Sequence, residues 1–360
     1  MKKRSLAVCI VALSSVIAIS GCSENAGSPK ESPKEEAGTV KEKEPASGQS
    51  GKADEQKPQK PQKQVTMGQE TLTGDDVSGW IAGHEAAKLY EHFSPEFQEQ
   101  VTAEDIDKLL RQAWKKGEAP VEISRLAADG TETYVWSSED GKMYLSAMLR
   151  EGRIHGLLLR PSDPRATDEK YTGHAYRMPF EGEWTVAWGG TNTMLNYHYE
   201  YPTQRYAYDL FIVRDGASLE GDPKENASYF AFGQPVVAPL GGKVVKVVDG
   251  HPDNVPFEKP LTEEAAGNHV IIDHGNGEYS VLAHFKKDSI LVKEGDTVKQ
   301  GDRLGLCGNS GNSSDAHIHF QVSDRPSLKE GASLRIRFED GSDPVRGDQV
   351  RGQDKGQNKQ

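Results

Sequence analysis

The chain has 360 residues, which at roughly 150 residues per domain predicts about two domains. Its 43 Lys and Arg against 55 Asp and Glu give a formal net charge of −12, so no excess positive field attracts nucleic acid, which is itself anionic. A mean hydropathy of −0.69 with 8% aromatic residues excludes a protein with many membrane spans and predicts folded domains joined to polar chain.

Residues 1–21 have the composition of a bacterial signal peptide. Met1–Arg4 is basic, Ser5–Ser20 is apolar, and Ile-Ser-Gly-Cys at 19–22 resembles a lipobox. In bacterial lipoproteins the chain is cut before this cysteine, which receives a diacylglyceryl group, and two or more acyl chains hold a protein stably on a membrane. The resemblance implies that Cys22 is lipidated and anchors the protein outside the cell membrane. A plain secretory signal or an uncleaved anchor is the alternative.

Residues 22–69 are predicted to form a disordered tether. Between Ser23 and Thr66 there is no aromatic residue, and Pro, Gly, Ser, Gln and alternating charges dominate, so this segment cannot bury a core. The composition indicates an extended linker between Cys22 and the first folded segment.

Residues 70–162 predict a small α+β domain. Apolar residues recur at helical spacing over 78–117, where Thr102 and Asp105 match a capping box. Alternating strands joined by Asp-Gly or Glu-Gly turns follow, at 122–126, 133–136, 143–149 and 154–159. This order of helices and then a meander resembles small nuclear-transport-factor-2-like domains. Because it shows no convergent acids or metal ligands, we expect a spacer or binding role.

Residues 163–337 predict a mainly antiparallel β domain, in which short strands rich in valine and isoleucine alternate with glycine turns. The sequence Asp-Ala-His-Ile-His-Phe at 315–320 is its sharpest chemical signal. Side chains two residues apart on a strand point to the same face, so His317 and His319 look into one site. Two imidazoles on one face indicate a metal site or an acid–base site.

Five sequence blocks resemble, in this order, the lysostaphin-type (LytM-like) zinc endopeptidases of bacterial cell walls. The blocks are PVVAPLGGKVV at 235–245, GNHVIIDHGNG at 267–277, YSVLAH at 279–284, VKEGDTVKQG at 292–301 and HIHF at 317–320. The resemblance implies an open, groove-like antiparallel β core and a tetrahedral zinc ion held by His, Asp and His. It also implies hydrolysis of peptide bonds in the stem peptides or cross-bridges of peptidoglycan.

Carried onto this sequence, the resemblance implies that Asp209 and His319 are zinc ligands and that His284 and His317 are catalytic. Asp209 lies in Tyr-Ala-Tyr-Asp-Leu at 206–210, and His284 ends the 279–284 block. Such a set is chemically coherent, because a catalytic zinc keeps one position open for water and non-ligating imidazoles can orient or deprotonate that water.

One ligand position departs from the family pattern. The family usually has a histidine four residues before the aspartate, where this chain has Arg205, and a glycine is common where it has Ala207. Arginine stays charged and cannot supply a neutral nitrogen ligand. We expect His198 to be the third ligand, brought alongside Asp209 by a strand–turn–strand path through 201–204. If His198 is instead structural, the zinc site is incomplete.

Other residues with metal-binding or nucleophilic chemistry are expected to be structural. His269 and Asp273 share a strand face, but they follow the 235–245 block, which the family's aspartate ligand precedes. The same reasoning applies to His274. Cys307 follows an apolar run and has no nearby triad, which favours a small buried residue. After Arg337, residues 338–360 predict a polar, disordered tail.

These patterns predict a membrane-anchored zinc metalloendopeptidase whose partners are peptidoglycan and, through its lipid, the membrane. Nucleic acid is not an expected partner. The competing hypothesis, favoured by Arg205, is a degenerate peptidase domain that lacks catalysis and acts as a cell-wall-binding or regulatory module.

Overall fold

Four short helices pack against one face of a four-stranded sheet at the start of the described chain. The computed structural model describes residues 72–352, so the signal peptide, Cys22 and the whole of the predicted tether lie outside the described residues. The helices are α1 (Gly74–Gly83), α2 (Ala86–Glu91), α3 (Pro95–Gln98) and α4 (Ala103–Ala113). The antiparallel strands, in spatial order, are β1 (Val121–Ala128), β2 (Thr131–Ser137), β3 (Met143–Arg150) and β4 (Arg153–Pro161). Between 72 and 352 no helix has the length and apolar character needed to cross a membrane.

The predicted capping box at the start of α4 is confirmed. The Asp105 N–H donates to Thr102 Oγ1 over 3.2 Å, and the Thr102 N–H donates to Asp105 Oδ2 over 3.1 Å. Each bond satisfies a backbone donor that the helix start leaves without an intrahelical acceptor. The apolar face of α4, formed by Ile106, Leu109 and Leu110, is then free to bury itself against the sheet.

A ten-stranded sheet carries the rest of the fold. Its strands are β5 (Tyr171–Tyr176), β6 (Gly182–Trp188), β7 (Tyr208–Phe211), β9 (Gly242–Val248), β10 (Asn268–Asp273), β11 (Tyr279–Phe285), β12 (Thr297–Val298), β14 (Ile318–Ser323), β15 (Ser333–Phe338) and β16 (Gln349–Gly352). The main spatial order is β12-β9-β10-β11-β14-β7-β6-β16, and β15 joins β14 to β5. Strands β8 (Pro235–Val237) and β13 (Arg303–Leu306) form a separate pair. All these pairings are antiparallel except β15 with β5, so the mainly antiparallel β architecture is confirmed.

The centre of this sheet is buried on both faces. Val270 and Leu282 on one face, which belong to the largest apolar cluster, and Ile271 and Val281 on the other face have no exposed surface. Strands buried on both faces read as continuous apolar runs, as in Val-Ile-Ile on β10. Polar side chains that interrupt such runs are therefore placed in a rigid, dry setting.

The predicted disordered tail is wrong for residues 338–352. Strand β16 pairs with β6, where Val350 lies opposite Trp184, and it extends the large sheet by one strand. The unpaired edge of β6 needs hydrogen-bond partners, and the backbone of β16 supplies them whatever its side chains are. Sequence patterning does not indicate this strand, because Gly-Asp-Gln-Val-Arg-Gly contains a single buried apolar residue.

Gly308 lets two segments next to the candidate site approach closely. Its N–H donates to the carbonyl of His284 over 3.0 Å. A Cβ atom at this position would lie 2.2 Å from the backbone nitrogen of Lys286, so any side chain would force the loop away from β11. The glycine thus fixes the distance between the end of β11 and the loop that leads to His317.

Candidate metal centre

Two neighbouring strands bring an aspartate and a histidine face to face. Asp209 on β7 lies opposite His319 on β14, whose other neighbour, β11, pairs Ala283 with His319. Asp209 Oδ1 is 3.0 Å from His319 Nδ1, and both side chains are buried. The hydrogen-bonded ladder therefore fixes the spacing of these two groups.

His198 reaches the same place from a 3-10 helix, Tyr197–Glu200. Asn196 caps this helix, and its Oδ1 accepts the His198 N–H over 3.1 Å. His198 Nε2 then lies 3.6 Å from Asp209 Oδ2. The structure brings the three predicted ligands together, but the expected strand–turn–strand path is wrong, since a single helical turn presents His198.

In His198 and His319, the ring nitrogen that points away from Asp209 has a hydrogen-bond acceptor in a fixed position. The Asn196 amide nitrogen donates to three backbone carbonyls, which orients its oxygen toward His198 Nδ1 at 2.9 Å. In the same way, Gln321 Nε2 donates to the Thr203 carbonyl, and its Oε1 lies 2.9 Å from His319 Nε2. A neutral imidazole has one N–H, so these contacts leave lone pairs at His198 Nε2 and His319 Nδ1.

The donor set fits zinc. The ligand atoms of His198, Asp209 and His319 all lie within 4.8 Å of one another. Ligands about 2.0–2.2 Å from a tetrahedral zinc ion are about 3.3–3.6 Å apart, close to the 3.6 and 3.0 Å separations from the Asp209 oxygens. With Gln321 taking the N–H of His319, a lone pair at Nδ1 faces the carboxylate, and a cation between them makes that contact favourable.

Two further imidazoles stand beside this triad. His317 Nδ1 donates to the Asp315 carbonyl over 2.9 Å, and His284 Nδ1 donates to the Ser310 carbonyl over 2.8 Å. The two ring centroids are 4.8 Å apart, and His317 Nε2 lies 3.8 Å from Asp209 Oδ1. In neutral form, each ring therefore has its lone pair at Nε2, where it can accept a proton. These are the two residues that the sequence predicts to be catalytic.

Hydrogen bonds to the 308–310 loop hold His284 in a strained backbone conformation. Its φ of +69° lies in the left-handed region, which costs a non-glycine residue on the order of 1–3 kcal/mol. The His284 carbonyl is hydrogen-bonded to the Gly308 N–H, and the ring is hydrogen-bonded to Ser310. Both ends of the residue are thus tied to the 308–310 loop, which keeps the strained conformation in place.

Burial and the neighbouring side chains set the protonation states of His198, His284 and Asp209. It lowers the pKa of His198 to about 3, although Asp209 partly opposes the shift. Burial, followed by the neighbouring histidines, lowers the pKa of His284 well below its usual value. Burial acts to raise the pKa of Asp209, but the surrounding imidazoles outweigh it and hold that pKa well below the usual range. At neutral pH His198 and His284 are therefore neutral and Asp209 is ionised.

Arg205, at the position where the family usually has a ligand, faces away from the cluster. Its Nε donates to the Tyr199 carbonyl over 3.1 Å, and its guanidinium lies 5.7 Å from the centre of the Tyr199 ring. The Arg205 carbonyl also accepts a hydrogen bond from Asn196. Arg205 therefore stabilises the helical turn that presents His198 instead of binding metal itself.

The residues expected to be structural lie apart from the cluster. His269 Nδ1 is 2.9 Å from the Gly267 carbonyl, while His274 contacts the Gly241 carbonyl and Ser280 Oγ. Neither belongs to the metal-binding group found between residues 72 and 352. Cys307 is fully buried, and burial raises the pKa of its thiol well above the usual value, which makes it a poor nucleophile.

Sequence reasoning assigned no role at the metal site to three residues that organise it. Asn196 and Gln321 orient the two candidate ligand histidines, and the Tyr197 hydroxyl donates to Asp209 Oδ2 over 3.2 Å. A usable signal existed for Gln321, because it lies two residues after His319 and so shares its strand face. Asn196 had a weaker one, as a capping residue type two positions before a histidine.

We expect Asn196→Ala to weaken zinc binding by about 10–100-fold, because His198 loses the acceptor that fixes its tautomer and ring orientation. Competition against a chelator of known affinity measures the change. Asn226→Ala is the control, since the Asn226 side chain is hydrogen-bonded to the Asn254 carbonyl and to Asn309 and to none of the three candidate ligands. Equal zinc affinities in the two variants would contradict the orienting role of Asn196.

Comparison with known proteins identifies the family. Residues 227–330 match peptidase family M23. Over 93 residues the chain is 30% identical to Lipoprotein NlpD of Yersinia enterocolitica, a match that covers 25% of this chain and 77% of that protein. The chain belongs to peptidase family M23. The matched part of this M23 chain contains His284, His317 and His319 but begins after His198 and Asp209.

Two other proteins are similar to this chain, and the matches cover different fractions of their lengths. The M23 chain is 35% identical over 94 residues to Peptidoglycan DD-endopeptidase ShyA of Vibrio cholerae, which covers 25% of this chain and 19% of that protein. It spans about a fifth or less of the length of several such relatives. The catalytic domain of the antimicrobial peptidase lysostaphin from Staphylococcus simulans shows 20% identity and a TM-score of 0.25, covering 48% of this chain and 95% of that structure.

Proposed function

We propose that the chain is a zinc metalloendopeptidase that hydrolyses peptide bonds in bacterial peptidoglycan, in stem peptides or cross-bridges. The observation that carries the proposal is the buried His198, Asp209 and His319 cluster with two non-ligating imidazoles beside it. The similarity to a protein named as a peptidoglycan DD-endopeptidase supports the substrate class.

Each group has a role that follows from its contacts. His198 Nε2, an Asp209 oxygen and His319 Nδ1 would hold the zinc ion, which when bound supplies Lewis-acid chemistry that polarises a carbonyl and acidifies water. His317 is the general base in this proposal, because its Nε2 faces the cluster and its side chain can be reached by water. The His317 side chain is 13% exposed, whereas that of the ligand His319 is 3% exposed. The proton that His317 takes from water goes, by way of the neighbouring His284 Nε2, to the nitrogen of the broken peptide bond, so the leaving amine departs neutral.

The competing function is a non-catalytic wall-binding module, which Arg205 favours at the level of sequence. A non-catalytic module of this kind would have His198 turned away from Asp209. In the structure, His198 Nε2 instead faces Asp209 Oδ2 at 3.6 Å. Incubation of the purified, zinc-loaded full chain with sacculi of several chemistries decides between the two functions. Hydrolysis releases new amino termini, and mass analysis of the fragments identifies the bond. Zinc bound at about one per chain without new amino termini from any wall type would favour the binding module.

The same proposal places the protein on the outer face of the cell membrane, held by lipid at Cys22 after removal of residues 1–21. We expect Cys22→Ala to move the protein from the membrane fraction to the soluble or secreted fraction, because the acyl chains supply the membrane affinity. Fractionation with detection of the protein checks this. The buried Cys307 offers a control, and Cys307→Ala should stay in the membrane fraction. An unchanged distribution of the Cys22 variant would point to an uncleaved anchor.

A further inference from the structure

The four-stranded sheet β1–β4 has an apolar outer face that its own helices do not cover. The helices bury the inner face, with Leu145, Ala147 and Leu149 among the residues in that core. On the outer face, Val135 is fully buried and packs in a second cluster together with Ile123, Tyr144 and Leu158. A sheet of this kind exposed to water would alternate polar and apolar residues, so this face is built to be covered.

The cover is the segment that carries the proposed third zinc ligand. Met194 and Leu195 complete the cluster around Val135, and they are 3% and 5% exposed. They directly precede Asn196, the residue that caps the 3-10 helix and orients His198. Asn192 Oδ1 accepts the N–H groups of both Met194 and Leu195, which closes the segment into a tight loop under the sheet.

The sheet also contacts Glu200, which follows His198 in the chain, and is linked through Arg346 to Met194, which precedes it. Arg160 on β4 forms an ion pair with Glu200, the last residue of the 3-10 helix, over 3.0 Å. Ser124 on β1 donates to the Arg346 carbonyl over 2.6 Å, and the Arg346 guanidinium donates to the Met194 carbonyl over 3.4 Å. His198 is thus flanked on both sides by residues that β1–β4 hold.

A ligand on a helical turn needs this support more than a ligand on a strand does. The β7–β14 ladder fixes Asp209 and His319 relative to each other. His198 has no such ladder, because its residues form a short turn outside the sheet. Ordering a free loop on metal binding costs conformational entropy, so a loop already ordered by packing binds the metal more tightly.

We propose that the β1–β4 sheet is a positioning platform for the metal site, which orders the Met194–Asn196 loop and thereby places His198. Tyr144 and Leu158 are the positioning residues, acting through Met194 and Leu195. This inference rests on the proposed zinc-binding function and gives residues 70–162 a part in the chemistry beyond that of a spacer.

The test compares full-length variants that change opposite faces of the same sheet. We expect Tyr144→Ala/Leu158→Ala to weaken zinc affinity at least about tenfold and to raise hydrogen exchange at the amides of residues 195–199 in metal-free protein. Leu149→Ala removes apolar contact from the helix-facing side of the same sheet without touching the loop. It should change zinc affinity less than twofold, and Leu158→Met should retain the affinity of the unsubstituted chain.

Two results would overturn the platform: unchanged zinc affinity and exchange in Tyr144→Ala/Leu158→Ala, or an equal loss of affinity in Leu149→Ala. Thermal unfolding confirms that each variant is folded at the temperature of measurement. Neither readout uses substrate, so a chain that binds zinc without hydrolysing peptidoglycan refutes the proposed activity and leaves the platform standing. If the unsubstituted chain binds no zinc, the exchange measurement in metal-free protein still decides whether the sheet orders the loop.

Discussion

His319→Ala should lose bound zinc and lower peptidoglycan hydrolysis at least about a thousandfold. The imidazole supplies one of three protein ligands, and several kcal/mol of transition-state stabilisation are lost with the ion. The alanine also leaves the Asp209 carboxylate without the contact that it makes at 3.0 Å and leaves Gln321 Oε1 without its donor. Metal content by elemental analysis and the release of new amino termini from sacculi measure the two effects.

His269→Ala is the control for this variant. His269 is a buried histidine on β10, two strands away from β14, and its ring is hydrogen-bonded to the Gly267 carbonyl. We expect this substitution to cost stability, while zinc content and hydrolysis per folded molecule stay as in the unsubstituted chain. Full zinc content in His319→Ala, or its loss in His269→Ala, would move the metal site away from the proposed triad.

The strand-borne part of the site could be predicted because strand geometry is periodic. Two side chains at i and i+2 share a face whatever the fold, so His317 and His319 converge from sequence alone. His284 and Asp209 followed from the order of the sequence blocks that resemble the lysostaphin-type family. The structure places these four residues around one point, with Asp209 opposite His319 in the ladder.

The position of His198 could not be derived in the same way. Its location depends on a 3-10 turn, whose short hydrogen-bonded segment has no hydrophobic period to read. It also depends on long-range packing, since the loop before it is held by residues about 50 positions earlier on β2 and β3. The presence of Arg205 where the family usually has His indicates only that the ligand comes from elsewhere in the chain. The contacts of Arg205 with Tyr199 show that this side chain stabilises the turn that carries His198.

Residues 338–352 show the opposite limit of sequence reasoning. Their polar composition is typical of disorder, but the backbone of β16 completes the edge of β6 through main-chain hydrogen bonds. Main-chain pairing is indifferent to side-chain polarity, so composition cannot reveal it. The same segment contains Arg346, which links Ser124 on β1 to the Met194 loop.

His317→Ala and His284→Ala should each keep about one zinc per chain and lower hydrolysis by about 10²–10⁴-fold, the usual contribution of a general acid or base. Neither ring belongs to the three-residue metal group, and both present an Nε2 lone pair beside it. His317 lies two residues from His319 and points to the same face, so the His317 and His319 variants form a matched pair. Elemental analysis reports metal retention, and amino-terminus release at saturating substrate reports the chemical step.

The pair separates metal binding from catalysis, which is the point on which the peptidase and the wall-binding module differ. Loss of zinc in His317→Ala would make His317 a ligand, in keeping with its 3.8 Å approach to Asp209 and with the lone pair at its Nε2. Full hydrolysis in both variants would remove the general base from the mechanism. Retained zinc with lost hydrolysis is the result that a peptidase requires, because a module that only binds the wall has no rate for these imidazoles to lower.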